Sequence, residues 1–196
     1  FYIARMNTTA PVQPTQPIQQ PMLRLTFIGG GNMARAIIGG LHAAKAASLI
    51  TVVEPVAEVR EALARDFGVD TLAQAGPALR DAQLVLWAVK PQSFAGAADD
   101  AAGHVADALQ LSIMAGVRSA AITRATGSSR VVRAMPNTPA LIGQGIAGLY
   151  ACPDVDAAGR AAVERVLAPT GQLLWVEREE LLDAVTALSG SGPAYV

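Results

Sequence analysis

The stretch Leu23-Arg24-Leu25-Thr26-Phe27-Ile28-Gly29-Gly30-Gly31-Asn32-Met33-Ala34 decides the fold that the sequence predicts. Its first six residues form a short apolar run, which is typical of a buried parallel strand. Gly29, Gly31 and Ala34 then match the pattern G-x-G-x-x-A, which carries meaning where it follows a strand and opens a helix. Met33–Ala47 is rich in Ala, Ile and Leu and reads as that helix. We therefore expect a tight turn whose free N–H groups bind a pyrophosphate; the alternative is a glycine-rich turn without a ligand.

Apolar runs and helical patterns alternate through the rest of the chain. The predicted strands are 50–54, 69–71, 83–89, 109–114, 130–134, 145–152 and 171–176. The predicted helices are 55–67, 92–106, 118–126, 154–168 (with Asp154 as its N-cap) and 179–189. This alternation predicts an α/β fold, a doubly wound and mostly parallel sheet of the Rossmann type.

The sequence divides into three parts. Residues 1–21 alternate prolines with glutamines and lack apolar periodicity, so we expect a disordered leader, with Met6 and Met22 as candidate natural starts. A Pro-rich docking peptide is the alternative interpretation of that segment. Residues 22–186 are predicted to form the dinucleotide-binding domain, and residues 187–196 to begin a second, helical domain.

Composition and charge exclude several classes of partner. The chain has 196 residues, 52% of them hydrophobic and 16% charged, with a net charge of −1. Nucleic acid and anionic membranes are not expected partners, because the electrostatic attraction is missing. Cys152 is the only cysteine and the two histidines are dispersed, so we expect no disulfide, no metal site and a cytoplasmic location. The uncharged run 134–153 holds three prolines, which argues against a membrane span.

Glu54 ends the predicted second strand, 25 positions after Gly29. A carboxylate at that point can accept hydrogen bonds from the hydroxyls of the adenosine ribose, and it repels a 2′-phosphate. Glu54 therefore favours NADH over NADPH, although Arg60 lies one helical turn further on. The alternative is a solvated carboxylate at the end of a strand.

Loops that follow the predicted strands carry the remaining candidate residues, because ligands bind outside the carboxyl ends of parallel strands. Ala88 and Ala115 are small enough to let a dinucleotide lie across this edge. Lys90 is either a cation near the cofactor or a surface lysine. Asn137 stands between two prolines, where it could bind a carboxamide or ribose, or cap its own turn.

Four segments together resemble the pyrroline-5-carboxylate reductase family. They are Phe27-Ile28-Gly29-Gly30-Gly31-Asn32-Met33-Ala34, Ala88-Val89-Lys90-Pro91-Gln92, Arg133-Ala134-Met135-Pro136-Asn137-Thr138-Pro139 and Leu188-Ser189-Gly190-Ser191-Gly192-Pro193-Ala194-Tyr195. The resemblance covers residues 22–196, and the M-P-N-T-P and S-G-S-G-P-A-Y segments are the ones specific to the family.

The resemblance implies reduction of a cyclic imine, pyrroline-5-carboxylate, to proline with NADPH or NADH. It implies that Ile28, Gly29, Gly30, Gly31, Asn32 and Met33 cradle the pyrophosphate. It also implies that Ala88, Val89, Lys90, Pro91, Met114, Ala115 and Gly116 line the path to the nicotinamide, with Asn137 close by. The substrate-binding and catalytic residues are expected in the second domain, which also makes the full-length protein a homo-oligomer.

Two departures and two alternatives remain open. Family members often carry Asn at the position of Ala75, so one adenosine contact is in doubt, and Glu54 is unusual among members that prefer NADPH. The alternatives are another NAD(P)-dependent imine or hydroxyacid reductase and a non-catalytic dinucleotide-binding protein. No acid–base pair is visible, which fits an imine that arrives already protonated from water.

Overall fold

The computed structural model describes residues 22–46 and 48–185, which fold around one eight-stranded sheet. The strands are β1 (Leu23–Ile28), β2 (Ser48–Val53), β3 (Asp70–Leu72), β4 (Leu84–Trp87), β5 (Leu109–Ser112), β6 (Val131–Met135), β7 (Gly145–Ala151) and β8 (Gly171–Trp175). The helices are α1 (Asn32–Ala43), α2 (Ala57–Phe67), α3 (Phe94–Ala101), α4 (Ser119–Thr126), α5 (Ala157–Leu167) and α6 (Leu181–Val185).

The strand order is β3-β2-β1-β4-β5-β6-β7-β8. All neighbouring strands from β3 to β6 are parallel. β7 runs antiparallel to β6, and β8 is parallel to β7. The prediction of a mostly parallel, doubly wound sheet is confirmed.

Helices cover both faces of the sheet. Apolar side chains of α1, α2 and α5 pack in one cluster, and those of α3 and α4 pack in another on the opposite face. The central strands are buried on both sides; Phe27 in the first cluster and Trp87 in the second, for example, are fully buried. The continuous apolar runs in the sequence follow from this burial, because a strand covered on both faces has no polar side.

Several element ends differ from the prediction. The helix after β7 begins at Ala157, and its N-cap is Asp156, whose Oδ1 accepts a hydrogen bond of 2.7 Å from the N–H of Gly159. The prediction of Asp154 as N-cap is therefore wrong. Helix α3 ends at Ala101, five residues before the predicted end, because Gly103 adopts a left-handed conformation with φ of 75°.

The predicted leader (1–21) and the predicted start of a second domain (187–196) lie outside the described residues. Within the part of the chain that the structure describes, no helix is both long enough and apolar enough to cross a membrane.

Candidate functional site

A cavity of about 610 Å³ opens at the carboxyl ends of β1, β2, β3 and β4. It brings together predicted site residues from three separate loops: Ile28, Gly29, Gly31, Glu54, Ala88, Val89 and Lys90. Its remaining walls are Val53, Pro55, Val56, Ala73, Gln74, Ala75, Ser93, Ala97 and Asp100. The cavity lies where the strand order reverses about β1 and β4, which is the position that favours ligand binding in open α/β sheets.

The glycine turn is built by close contact between the loops after β1 and β4. Gly29 has φ of 100°, and a Cβ atom there would lie 2.8 Å from the carbonyl oxygen of Ala88. A side chain at Gly29 would therefore clash with backbone. A Cβ atom at Gly31 would meet nothing within 4 Å. Gly29 is needed by the fold, whereas Gly31 leaves open space on the cavity side.

Helix α1 points its N-terminus at this space. Gly31 is the N-cap, without a side-chain hydrogen bond, and the first turn holds no acidic residue. Ala34 is fully buried, so the helix packs closely on the sheet. The first N–H groups of an α-helix have no partner within the helix and carry a partial positive charge. Asn32 and Met33 do not line the cavity. They belong to the first turn of α1, where their backbone N–H groups are among those that have no partner within the helix.

Glu54 lies on the cavity wall, but its carboxylate is already bound by backbone. Oε2 accepts a hydrogen bond of 2.9 Å from the N–H of Gly30, and Oε1 accepts one of 3.0 Å from the N–H of Val56. Sequence reasoning predicted a carboxylate at the end of this strand and did not foresee these two bonds. Each oxygen keeps a further lone pair, so the group remains an acceptor held in a fixed position.

Arg60 is fixed beneath the same loop. Its Nη1 donates to the carbonyl oxygens of Glu54 and Pro55, both at 2.8 Å. Arg60 is not among the residues that line the cavity, whereas Glu54 is. The charge that faces the cavity from the end of β2 is therefore negative.

The loop after β3 and one side of α3 form a wall of which sequence reasoning singled out only Ala75. Gln74 and Ala75 from the loop and Ala97 and Asp100 from α3 all line the cavity. Sequence reasoning considered Ala75 only as the position where family members often carry Asn, and it assigned no role to Ala73, Gln74, Ala97 or Asp100. The rule that ligands bind at carboxyl ends of parallel strands was the signal that could have found it.

Predicted residues on the other side of the edge lie outside the cavity. Met114 is buried, and its N–H donates to Ser112 Oγ at 3.2 Å, while Ala115 and Gly116 are exposed in the turn that follows β5. Pro91 begins a short 3₁₀ turn after Lys90. Asn137 Oδ1 accepts a hydrogen bond of 3.0 Å from the N–H of Ile146 on β7, and its side chain makes no cap bond to the 3₁₀ turn 138–142 that follows it.

The fold and the glycine turn define a domain of the Rossmann type. A family model described as "NADP oxidoreductase coenzyme F420-dependent" matches residues 24–116, a range that includes every residue of the cavity wall.

Curated relatives identify the family. A pyrroline-5-carboxylate reductase of Pseudomonas aeruginosa is 43% identical over 175 residues, which cover 88% of this chain and 64% of the relative. One of Corynebacterium melassecola is 33% identical over 181 residues, which cover 89% of this chain and 67% of the relative. The chain belongs to the pyrroline-5-carboxylate reductase family, which confirms the resemblance of its motifs. It spans less than two thirds of the Pseudomonas protein.

Solved structures agree. A pyrroline-5-carboxylate reductase from Coxiella burnetii has a TM-score of 0.81 at 34% identity, covering 89% of this chain and 66% of that one. A pyrroline carboxylate reductase from Plasmodium falciparum, solved with NADP bound, has a TM-score of 0.75 at 24% identity, with coverage of 89% and 66%. At that identity the second likeness shows the fold alone.

Proposed function

We propose that this chain supplies the cofactor site of an enzyme that reduces the cyclic imine 1-pyrroline-5-carboxylate to L-proline, the last step of proline biosynthesis. The observation that carries the proposal is the cavity at the carboxyl edge, bounded by the glycine turn and the segment Ala88-Val89-Lys90, in a chain of this family.

The residues present fit a dinucleotide. The open space beside Gly31 accommodates phosphate groups close to the backbone, and the N-terminus of α1 attracts their negative charge. Glu54 would accept hydrogen bonds from the hydroxyls of the adenosine ribose at the other end of the cavity. Ala88 and Lys90 line the way from the glycine turn along the sheet edge.

The bound NAD(P)H supplies the hydride, and the chain supplies orientation. The imine carbon becomes electrophilic when its nitrogen is protonated, and a cyclic imine takes that proton from water. Holding the two reacting groups together accounts for much of the acceleration that such a reaction needs.

We also propose that the whole protein has the second domain predicted from the sequence, that it is a homo-oligomer and that it is located in the cytoplasm. Relatives longer than this chain support a further domain, since the chain spans 64% of the Pseudomonas protein. The substrate-binding residues are proposed to lie there. A cytoplasmic location agrees with the NAD(P)H requirement and with Cys152 as the only cysteine.

NADH is proposed as the preferred cofactor. The carboxylate of Glu54 lines the cavity, while Arg60, whose Nη1 donates to two backbone carbonyls, is not among the lining residues. A 2′-phosphate would therefore meet a like charge rather than a partner.

A comparison of the reduction rates of different substrates tests the proposed reaction. The full-length gene product should oxidise NADH with pyrroline-5-carboxylate, and much more slowly with 2-oxo acids or acyclic imines offered at equal concentration. A preference for one of those substrates would favour the other reductases, and cofactor binding without any turnover would favour a non-catalytic protein.

A further inference from the structure

A buried ion pair joins β6 to the segment that follows β8. Glu179 Oε1 lies 2.9 Å from Arg133 Nη1, and the two side chains are only 14% and 4% exposed. The same Oε1 accepts a hydrogen bond of 2.7 Å from the N–H of Ser119, and Oε2 accepts one of 2.8 Å from its hydroxyl. One carboxylate thus holds both the backbone and the side chain of the first residue of α4.

The charge on Glu179 is stabilised in the fold. Burial raises the pKa of its carboxyl group, but the N–H of Ser119, the guanidinium of Arg133 and the Ser119 hydroxyl together outweigh burial and lower the pKa below 4.5. The group is therefore a carboxylate at neutral pH, when it accepts all three bonds.

Ser119 is one end of the turn that carries Ala115 and Gly116. The other end is Met114, which is 2% exposed and fixed by its bond to Ser112 Oγ. Between these fixed ends the turn is exposed, and Gly116 adopts φ of 73°. Its position at the carboxyl edge depends on how firmly Ser119 is held.

Glu179 also belongs to the segment that leads into α6. Helix α6 packs on β6 and β7, and Leu182 within it is buried. The carboxylate of Glu179 therefore links the turn after β5 to the segment that leads into α6. Arg118 and Asp183 make a second link at 2.7 Å, but their side chains are 45% and 56% exposed, so it contributes little.

We propose that Glu179 is a positioning residue, which acts through Ser119 to hold the turn 115–118 in the place where the nicotinamide end of the cofactor meets the substrate. This role rests on the proposed function. It explains why a carboxylate is buried here at all, since a buried pair is a poor source of stability compared with apolar packing.

Glu179→Gln in the full-length protein tests the role, because the amide keeps the size but turns one acceptor into a donor facing Ser119 and Arg133. Hydride transfer should slow by about tenfold in a single turnover at saturating substrate, because misplacement of reacting groups is costly. The Kd for NADH, measured separately, should stay within about twofold, since the cavity is formed by other loops. Backbone amides of residues 115–118 should exchange hydrogen faster.

Asp183→Asn is the matched control, since it breaks an exposed ion pair between the same two segments. It should change neither the transfer rate nor the exchange of the turn. Ser119→Ala is the milder second variant. It removes only the hydroxyl and should give a smaller loss of rate, so the test remains decisive if Glu179→Gln folds poorly.

The outcomes separate the two claims. Wild-type protein that forms no proline refutes the proposed function, and the positioning role falls with it. The positioning role alone is refuted if the wild type is active and the Glu179 and Ser119 variants differ from it only in stability. In that case their rate of hydride transfer and the amide exchange of residues 115–118 would be unchanged. A loss of NADH affinity equal to the loss of rate would refute it as well, by placing Glu179 in cofactor binding.

Discussion

The Oε2 atom of Glu54 accepts a hydrogen bond of 2.9 Å from the N–H of Gly30, which ties the end of β2 to the glycine turn after β1. The bond fixes a negative charge on the wall of the cavity. It also uses one N–H of the turn that would otherwise be available to an anion. Glu54 therefore shapes the site through both its charge and its hydrogen bonds.

Glu54→Gln should raise the affinity for NADPH relative to NADH. Removing the like charge lowers the cost of placing a 2′-phosphate nearby, by about 1–3 kcal/mol for charges a few ångströms apart near a surface. The measurement is the ratio of the two dissociation constants by calorimetry. Glu58→Gln is the control, because it removes the same charge from the first turn of α2 without facing the cavity. An unchanged ratio in Glu54→Gln would contradict the assignment.

Gly31→Val should abolish dinucleotide binding while leaving the fold intact. Its Cβ atom meets nothing within 4 Å, so the side chain would fill only the space reserved for phosphates. Gly29→Ala is the contrasting variant, since its Cβ atom would clash with Ala88 and its φ of 100° disfavours a side chain. Gly29→Ala should lower the melting temperature and Gly31→Val should not. Unchanged NAD(P)H affinity in Gly31→Val would show that the phosphates bind elsewhere.

Two adjacent glycines of α1 should respond oppositely to alanine. A Cβ atom at Gly40 would lie 2.2 Å from Pro169 Cβ, while one at Gly39 would lie 3.3 Å from the edge of the Phe67 ring, which can shift. We expect Gly40→Ala to lower the free energy of unfolding by about 1–3 kcal/mol through overpacking. Gly39→Ala should be neutral or stabilising, because alanine favours a helix over glycine by about 1 kcal/mol. Urea denaturation measures both, and equal effects would contradict the packing of α1 on the turn 168–170.

Acid should destabilise the wild-type protein more than Glu179→Gln. The pKa of Glu179 is lowered in the fold, so its stabilising contribution is present above the pKa of the unfolded chain and is lost as the pH falls through the folded value. We expect the free energies of unfolding of the two proteins to converge as the pH falls from neutral through about 4.3, the value for the unfolded chain, and below it. The pKa of Asp66, lowered mainly by its hydrogen bond with Arg35, affects both proteins equally. A constant difference across this pH range would contradict the lowered pKa.

Much of the fold could be predicted because local signals and burial agree. The apolar run Leu23–Ile28 is a strand with the predicted ends, and the glycine turn follows it as expected. The ends of helices that depend on backbone conformation were harder to predict. Gly103 stops α3 early, and Asp156 rather than Asp154 caps α5, because the choice between two nearby acceptors depends on the path of the preceding loop.

Contacts between distant residues could not be predicted from the sequence. Glu54 was recognised by its position after a strand, but its bond with Gly30 requires knowing how two loops approach. Glu179 lies 60 residues from Ser119, and no spacing rule joins them. The bond between Asn137 Oδ1 and the N–H of Ile146 joins a loop to a strand nine residues further on, and neither interpretation of Asn137 included it.

Deuterium transfer to proline tests the central claim most directly. The full-length gene product should be incubated with pyrroline-5-carboxylate and NADH deuterated at the transferable position, and the product examined by mass spectrometry. The account predicts proline that carries one deuterium, at the ring carbon that was the imine carbon, and none when Gly31→Val replaces the wild type. Proline without deuterium, or no proline from a protein that binds NADH, would contradict it.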